Sequence, residues 1–318
     1  MNILITGGGG FIGSNLAMHF QDKYPKYNIV VFDAFNNGTK MQNGNYQFLG
    51  NYNNLKHFKG KVICGDITCD GELDLLSNYK FDIIFHLAAI SDTRVDDQQL
   101  VFKTNINTFY KIIDISKKMN AKLVYASSAA VYGNSNNKIL SIGNENPNNP
   151  YAFSKYAMDK ITLSNINDDD KIKIIGLRYF NVYGPNEQHK GPTSSTILQF
   201  AKQIMNKTPP VLFEKSDKIL RDFVYIEDVI QATLKAGFSN ENGIFNVGSG
   251  IARSFQDVAD IIQKVLNTNF QCSYINNPYT GGYQYFTQAD ISSTESKLGF
   301  KPKYSLEDGI SDYMHKII

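Results

Sequence analysis

The chain has 318 residues, 42% of them apolar and 19% charged, enough to bury a large core in two domains or in one domain with a lobe. Its 32 basic and 30 acidic side chains leave a formal charge of +2, a balance that gives no footprint for nucleic acid or an anionic membrane surface. No apolar run approaches the roughly 18 residues of a membrane span, and residues 1–6 open straight into a strand pattern without a signal-peptide layout, so a cytoplasmic protein is expected. Cys64, Cys69 and Cys272 lack metal or redox spacing and read as buried free thiols of a reducing compartment.

Short runs rich in Ile and Val stand at 2–6, 28–33, 61–66, 81–89, 121–128 and 172–181. They are continuously apolar, as strands are when both faces of a sheet are covered. Helix-length stretches lie at 13–22, 100–118 and 151–166. The alternation predicts an α/β fold with a doubly wound parallel sheet, a Rossmann-type dinucleotide-binding domain over 1–179. Beyond it, 180–318 reads as a smaller, mixed α/β substrate lobe with helices at 196–205, 226–236 and 254–266. The segment around 225–250 is expected to pack back on the first domain, because Phe245-Asn246-Val247-Gly248 resembles another buried strand. The Asn-rich stretch 133–150 reads as a loop, and Asp168-Asp169-Asp170 as a solvated turn.

Between the first strand and the first helix lies Thr6-Gly7-Gly8-Gly9-Gly10-Phe11-Ile12-Gly13. Gly7, Gly10 and Gly13 permit a tight turn, let backbone N–H groups approach a pyrophosphate, and let helix and sheet pack closely. A flexible turn is the plainer alternative, but Asp33 follows about twenty residues on, at the end of the second strand, where the dinucleotide pattern has its acidic residue. Asp66 closes the third strand, where it reads either an adenine edge or caps a helix.

Tyr151-Ala152-Phe153-Ser154-Lys155 places a phenol and an ammonium on one helix face. A cation beside a phenol lowers its pKa from about 10 towards a useful base, and the lysine can also hold a ribose hydroxyl. Ser128 falls at the carboxyl end of the fifth strand, the ligand end of a doubly wound sheet. Alone, Tyr-x-x-x-Lys would be a surface pair and Ser128 a strand-end cap. The five histidines show no metal spacing, no metal is expected, and His86 reads as a satisfied core residue.

Taken together, Gly7-x-x-Gly10-x-x-Gly13, Ser128-Ala129-Ala130-Val131-Tyr132-Gly133, Tyr151-x-x-x-Lys155 and Arg178-Tyr179-Phe180-Asn181-Val182-Tyr183-Gly184-Pro185 resemble the extended short-chain dehydrogenase/reductases over the whole chain. The second half resembles the ADP-glyceromanno-heptose 6-epimerase family in His189-Lys190-Gly191, Leu212-Phe213-Glu214-Lys215-Ser216, Arg221-Asp222-Phe223-Val224-Tyr225, Ala252-Arg253-Ser254-Phe255-Gln256 and Tyr283-Gln284-Tyr285-Phe286-Thr287-Gln288-Ala289-Asp290. The resemblance implies a redox inversion at C6 of a nucleotide-linked heptose, a lipopolysaccharide precursor, with a bound nicotinamide cofactor and a homo-oligomeric enzyme. Ser128, Tyr151, Lys155 and Lys190 would be catalytic, Tyr151 and Lys190 as proton-transfer groups on opposite faces of a transient ketone. Cofactor positions would be Gly7, Gly10, Phe11, Ile12, Gly13, Asp33, Ala34, Lys40, Asp66, Ile67, Leu87, Ala88, Ala89, Ile90, Ser91, Asn105, Tyr151, Lys155 and Val182. Substrate positions would be Ser128, Asn181, Gln199, Phe213, Glu214, Lys215, Ser216, Arg221 and Tyr283, with Arg221 as a fork for a diphosphate or, more plainly, a salt-bridge residue.

Departures from the family pattern are Gly9 for Ala, Lys215 for Gly and Pro192 for Ser. The family uses NADP with lysines near the ribose, and Lys40 matches one of them; Asp33 favours NAD, which is the alternative cofactor. A UDP-hexose 4-epimerase or a 4,6-dehydratase keeps the fold and changes the sugar. The dehydratase is disfavoured, because Ser128-Ala129-Ala130 lacks the Asp-Glu pair needed for elimination. A non-catalytic dinucleotide-binding regulator would lose Ser128, Tyr151 or Lys155, and all three are present.

Overall fold

Strand β1 (Asn2–Thr6) sends Ile3 and Ile5 to one side and Leu4 to the other, and all three are fully buried. Period-two alternation therefore feeds two apolar layers, which is why the sequence shows a continuous apolar run. The computed structural model describes residues 1–135, 139–169, 172–278 and 283–317. After β1 come α1 (Phe11–Lys23), β2 (Asn28–Asp33), β3 (Lys61–Cys64), α2 (Asp70–Leu73), β4 (Ile83–His86), α3 (Gln98–Phe102), α4 (Thr108–Met119), β5 (Lys122–Ser128), α5 (Pro150–Asp168), β6 (Ile174–Tyr179) and β7 (Asn181–Tyr183). The rest comprises α6 (Thr196–Met205), β8 (Val211–Phe213), β9 (Leu220–Tyr225), α7 (Ile226–Phe238), β10 (Gly243–Val247), β11 (Ala252–Ser254), α8 (Phe255–Val265), β12 (Ser273–Ile275), α9 (Ser292–Leu298) and α10 (Leu306–Ile317).

The main sheet has seven parallel strands in the order β10-β6-β5-β4-β1-β2-β3. Leu16, Ala17 and Phe20 of α1 and Val229 and Ile230 of α7 cover the Ile3/Ile5 face. Ile112 and Ile113 of α4 and Met158 and Ile161 of α5 cover the Leu4 face. Strand order reverses between β1 and β4, so their carboxyl ends part and open a crevice. A three-stranded sheet, β11-β9-β7, and a two-stranded one, β12-β8, stand beside it.

Several elements differ from the sequence reading for local reasons. The apolar run 172–181 divides at Phe180: its N–H still bonds Val247 of β10 at 3.0 Å, the last link of β6 to the main sheet, and the chain then continues as β7 in another sheet. The helix expected over 100–118 is interrupted by a π-turn at Lys103–Asn107, a local widening that often accompanies a functional position. Within 133–150 the loop is pinned: Leu140 pairs with Ala289, and Asn149 caps α5 by accepting from Ala152 N–H at 2.8 Å. Asp168 ends α5 and Asp169 caps it, while Asp170 lies outside the described residues. The expectation of buried thiols fails: Cys64 and Cys69 are exposed and Cys272 is half-buried. Cys64 ends the edge strand and Cys69 lies in the turn that follows, so neither has a covering layer. No described helix is long and apolar enough to cross a membrane.

Candidate active site

The crevice at the carboxyl ends of β1 and β4 is a cavity of about 480 Å³. Its floor is the turn between β1 and α1. Gly7 has φ +71, and a Cβ there would lie 2.6 Å from the Ala88 nitrogen of the next strand's loop. A Cβ on Gly13 would lie 2.3 Å from the Gly7 carbonyl oxygen, so α1 seats directly on the turn. No side chain caps α1 and its first turn holds no acidic residue. Its N–H groups and positive dipole end therefore face the cavity, a cradle fit for a pyrophosphate.

At one end of this cradle Asp33 is buried. Its Oδ2 accepts from Gly9 N–H at 2.9 Å and its Oδ1 from Phe35 N–H at 2.8 Å. Burial raises its pKa, against these two bonds. Ala34, Asp66 and Ile67 line the same end. The Asp66 carboxylate accepts from Thr68 N–H and hydroxyl, both at 2.8 Å, so it caps a turn rather than a helix. Lys40 does not line the cavity; its ammonium lies 5.6 Å from the Tyr46 ring centre, beside the bridge pairing Lys40 with Tyr46. Leu87, Ala88, Ala89, Ile90 and Ser91 form the opposite wall. Asn105 stands behind that wall: its side chain bonds the Ile90 N–H at 2.9 Å, the Ile90 carbonyl at 3.0 Å and the Ser154 hydroxyl at 2.9 Å. The π-turn supplies this brace. His86 is buried with Thr6 at 2.8 Å from Nδ1, while Nε2 finds no partner. Burial pushes it down to about 3, so it is neutral.

Tyr151, Lys155 and Ser128 meet on the cavity wall as the spacing predicts. Asn149 and Pro150 start α5 one residue before Tyr151, a capping arrangement that fixes the helix and hence the side-chain direction. The Ser128 hydroxyl bonds the Tyr151 phenol and also accepts from Ala130 N–H at 3.1 Å. Lys155 donates to the Ala126 carbonyl at 2.8 Å and stands 6.0 Å from the Tyr151 ring centre. One expectation is reversed here. The Tyr151 pKa is raised, by burial, and only the Ser128 bond lowers it. Lys155 pays for the same burial, being held down to about 8.

Lys190 enters the same cavity from the turn Gln188–Thr193, its ammonium 5.4 Å from the Phe11 ring centre. Burial lowers its pKa, and Glu187 and Asp92 oppose that by facing it. Asn181 and Val182 of β7 line the cavity beside it. Gln199, on α6, points instead to the Ser194 carbonyl at 2.8 Å, holding the end of the Lys190 turn.

The remaining predicted residues form a second cluster. The Arg221 guanidinium is buried 5.1 Å from the Tyr283 ring centre and 5.8 Å from that of Phe255, and Phe213 packs edge-on against Tyr283 at 6.0 Å. Arg221 forms no ion pair among the described residues, so the salt-bridge reading fails; burial lowers it to about 10. The Ser216 hydroxyl, in the turn between β8 and β9, is buried and has no partner among the described residues. A buried cation and an orphaned hydroxyl together suit an anion. Glu214 and Lys215 are exposed on the turn, and Lys215 keeps φ +61 where the family pattern has glycine. Phe223 joins the two regions, lining the cavity and packing edge-on against Phe255 at 5.6 Å.

Sequence reasoning missed the support beneath Lys155. Asp159, one helical turn on, accepts from Arg178 at 2.8 Å and Tyr125 at 2.7 Å. Arg178 also bonds Glu145 at 2.6 Å and the Tyr132 hydroxyl at 3.0 Å, which donates to Asn246 at 2.7 Å. The 151/155/159 spacing could have flagged Asp159; its partners arrive from segments that only the fold brings together. Thr93, Thr104 and Thr193 also line the cavity and carry no motif signal.

The family model for the NAD dependent epimerase/dehydratase family matches residues 3–248. The chain is 36% identical over 318 residues to the ADP-L-glycero-D-manno-heptose-6-epimerase of Brachyspira hyodysenteriae, covering 98% of this chain and 96% of that protein. The crystal structure of the Helicobacter pylori ADP-L-glycero-D-manno-heptose-6-epimerase superposes with a TM-score of 0.90 at 45% identity, covering 99% and 96% of the two chains. That of UDP-glucuronic acid 4-epimerase from Bacillus cereus, in complex with UDP-glucuronic acid and NAD, gives a TM-score of 0.84 at 26% identity over 100% of both chains.

Proposed function

The chain belongs to the NAD dependent epimerase/dehydratase family, and from that premise we propose that it interconverts ADP-D-glycero-D-manno-heptose and ADP-L-glycero-D-manno-heptose by transient oxidation at C6. The observation that carries the reading is that Tyr151 and Lys190, from distant parts of the sequence, line one cavity that also holds the pyrophosphate cradle. Inversion at a carbinol carbon turns its oxygen to a new direction, and two proton-transfer groups serve the two directions. When bound, the nicotinamide ring supplies hydride acceptance and return at the substrate carbon.

This chain's residues do the rest. Tyr151 takes the hydroxyl proton in one epimer and Lys190 serves the oxygen in the other, while Ser128 holds the Tyr151 phenol in place. Lys155 is anchored on the Ala126 carbonyl, within reach of a ribose hydroxyl. Arg221 and Ser216 receive the diphosphate of the sugar nucleotide, and Phe213 and Tyr283 shape that end. The sugar and base are carried over from the proteins to which the chain is similar.

The cofactor is a nicotinamide dinucleotide. The family resemblance favours NADP, whereas one specific observation favours NAD: Lys40 lies outside the cavity, and the ribose end is lined by Asp33 and, among the described residues, by no lysine or arginine. Asp33→Ala removes a carboxylate that repels a 2′-phosphate, so the ratio of NADP to NAD affinity should rise. An unchanged ratio would put the ribose elsewhere. The function itself is tested by incubating the protein with ADP-heptose epimers and with UDP-hexoses. Inversion at C6 of the heptose supports the reading, and inversion at C4 of a hexose alone refutes it.

A further inference from the structure

Glu187 is completely buried, yet it forms no ion pair among the described residues. A bare buried carboxylate is costly unless several donors satisfy it. Here they come from both ends of one loop. Oε1 accepts from Gly184 N–H at 3.2 Å and from the Ser195 hydroxyl at 2.7 Å, and Oε2 from Ser195 N–H at 2.6 Å. Gly184 follows β7 and Ser195 caps α6, so the carboxylate closes the segment 184–195 into a ring. The Tyr313 hydroxyl, from α10, faces the same group. Inside the ring the Glu187 carbonyl accepts from Lys190 N–H at 3.0 Å.

We propose that Glu187 is a positioning residue for Lys190, closing the loop 184–195 and setting a buried carboxylate in the turn that carries the ammonium to the cavity. The proposal rests on Lys190 acting as a proton-transfer group. Four groups bear on its charge. Glu187 and His189 share its turn, Asp92 faces it from the loop after β4, and Tyr151 shares the cavity from α5. Burial drives Lys190 and His189 towards their neutral forms, and the two cations would repel, so His189 stays neutral at about 4. For Lys190 the opposing influence is that of the two carboxylates. Asp92 is already paired with Arg94 at 2.9 Å and bonded by Asn43 and Asn45, whereas Glu187 has no cation partner among the described residues and is locked by the loop built around it.

The test is Glu187→Gln, which keeps the shape and removes the charge. Lys190 is titrated directly by carbon-13 methyl labelling of lysines, its signal assigned by its loss in Lys190→Met. Removing a facing carboxylate should lower the Lys190 titration by about one pH unit or more. The kcat/KM profile should shift to lower pH with it, and kcat should fall at least about tenfold. Should the amide fail to fold, Glu187→Asp retains the charge but is one carbon too short to span Gly184 and Ser195. It should keep the Lys190 titration near wild type while losing kcat, with KM little changed. A Lys190 titration and pH profile unmoved in Glu187→Gln, or wild-type kcat in Glu187→Asp, overturns the proposal. If Lys190→Met instead keeps full turnover while the titration still moves in Glu187→Gln, the proposed role of Lys190 fails and the electrostatic role of Glu187 stands.

Discussion

Tyr151 and Lys155 occupy one buried wall, and burial acts on them in opposite directions: the phenol becomes harder to ionise and the ammonium easier to discharge. Replacing Tyr151 with Phe removes only the oxygen, so turnover should fall roughly 10²- to 10⁴-fold with an unchanged melting temperature. Near-normal turnover would remove Tyr151 from the chemistry. Lys155 carries a pH signature in stability. Its folded pKa of about 8 lies below its ordinary value of 10.5, so the folded state binds fewer protons than the unfolded chain between those limits. The penalty is full below about 8 and fades as pH rises towards the ordinary lysine value. Lys155→Met should therefore match or exceed wild-type stability at neutral pH, with the difference narrowing above about 8, read as melting temperature against pH. A constant difference across that range would contradict the burial account. For Arg221→Ala, loss of charge-assisted hydrogen bonds worth about 1.5–3 kcal/mol should raise KM about ten- to a hundredfold with little effect on kcat.

The turn between β1 and α1 shows what an element asks of its residues. Gly13 has no room for a methyl group against the Gly7 carbonyl, whereas a Cβ on Gly10 would meet only that carbonyl, at 3.2 Å. Gly13→Ala should cost about 1–3 kcal/mol of stability through overpacking. Gly10→Ala should fold normally but bind dinucleotide more weakly, because its Cβ occupies the cradle. Equal melting temperatures for the two variants would contradict this placement. The element was readable beforehand because strand, glycines, helix and Asp33 fall within one short segment, where spacing is geometry. Lys103–Asn107 was not: the segment holds one apolar residue, Ile106, too few to register the phase shift of an inserted residue, and only the Asn105 brace reveals its use. The break at Phe180 was hidden similarly, since both β6 and β7 are apolar and change sheets without a proline or glycine between them.

Across the whole molecule, the parallel order and the switch point between β1 and β4 follow from alternating strands and helices, and the cavity sits where that topology requires. The site's far half was less readable. Arg221, Phe213 and Tyr283 cluster away from the cavity lining, and by residue type alone an arginine there is as readily a salt-bridge partner. The burial of Arg221 with no carboxylate partner among the described residues, visible only in three dimensions, is what supports the proposed diphosphate contact. The network of Glu145, Asp159, Arg178 and Asn246 likewise joins segments remote in sequence.

The central claim is that C6 is inverted by removal and return of its own hydrogen within one closed site. Epimerisation run in deuterium oxide without added cofactor, followed by proton NMR, tests it in a single measurement. The account predicts that configuration at C6 inverts while the product keeps protium at that carbon, since the hydrogen never exchanges with solvent. Deuterium at C6 of the product would contradict it.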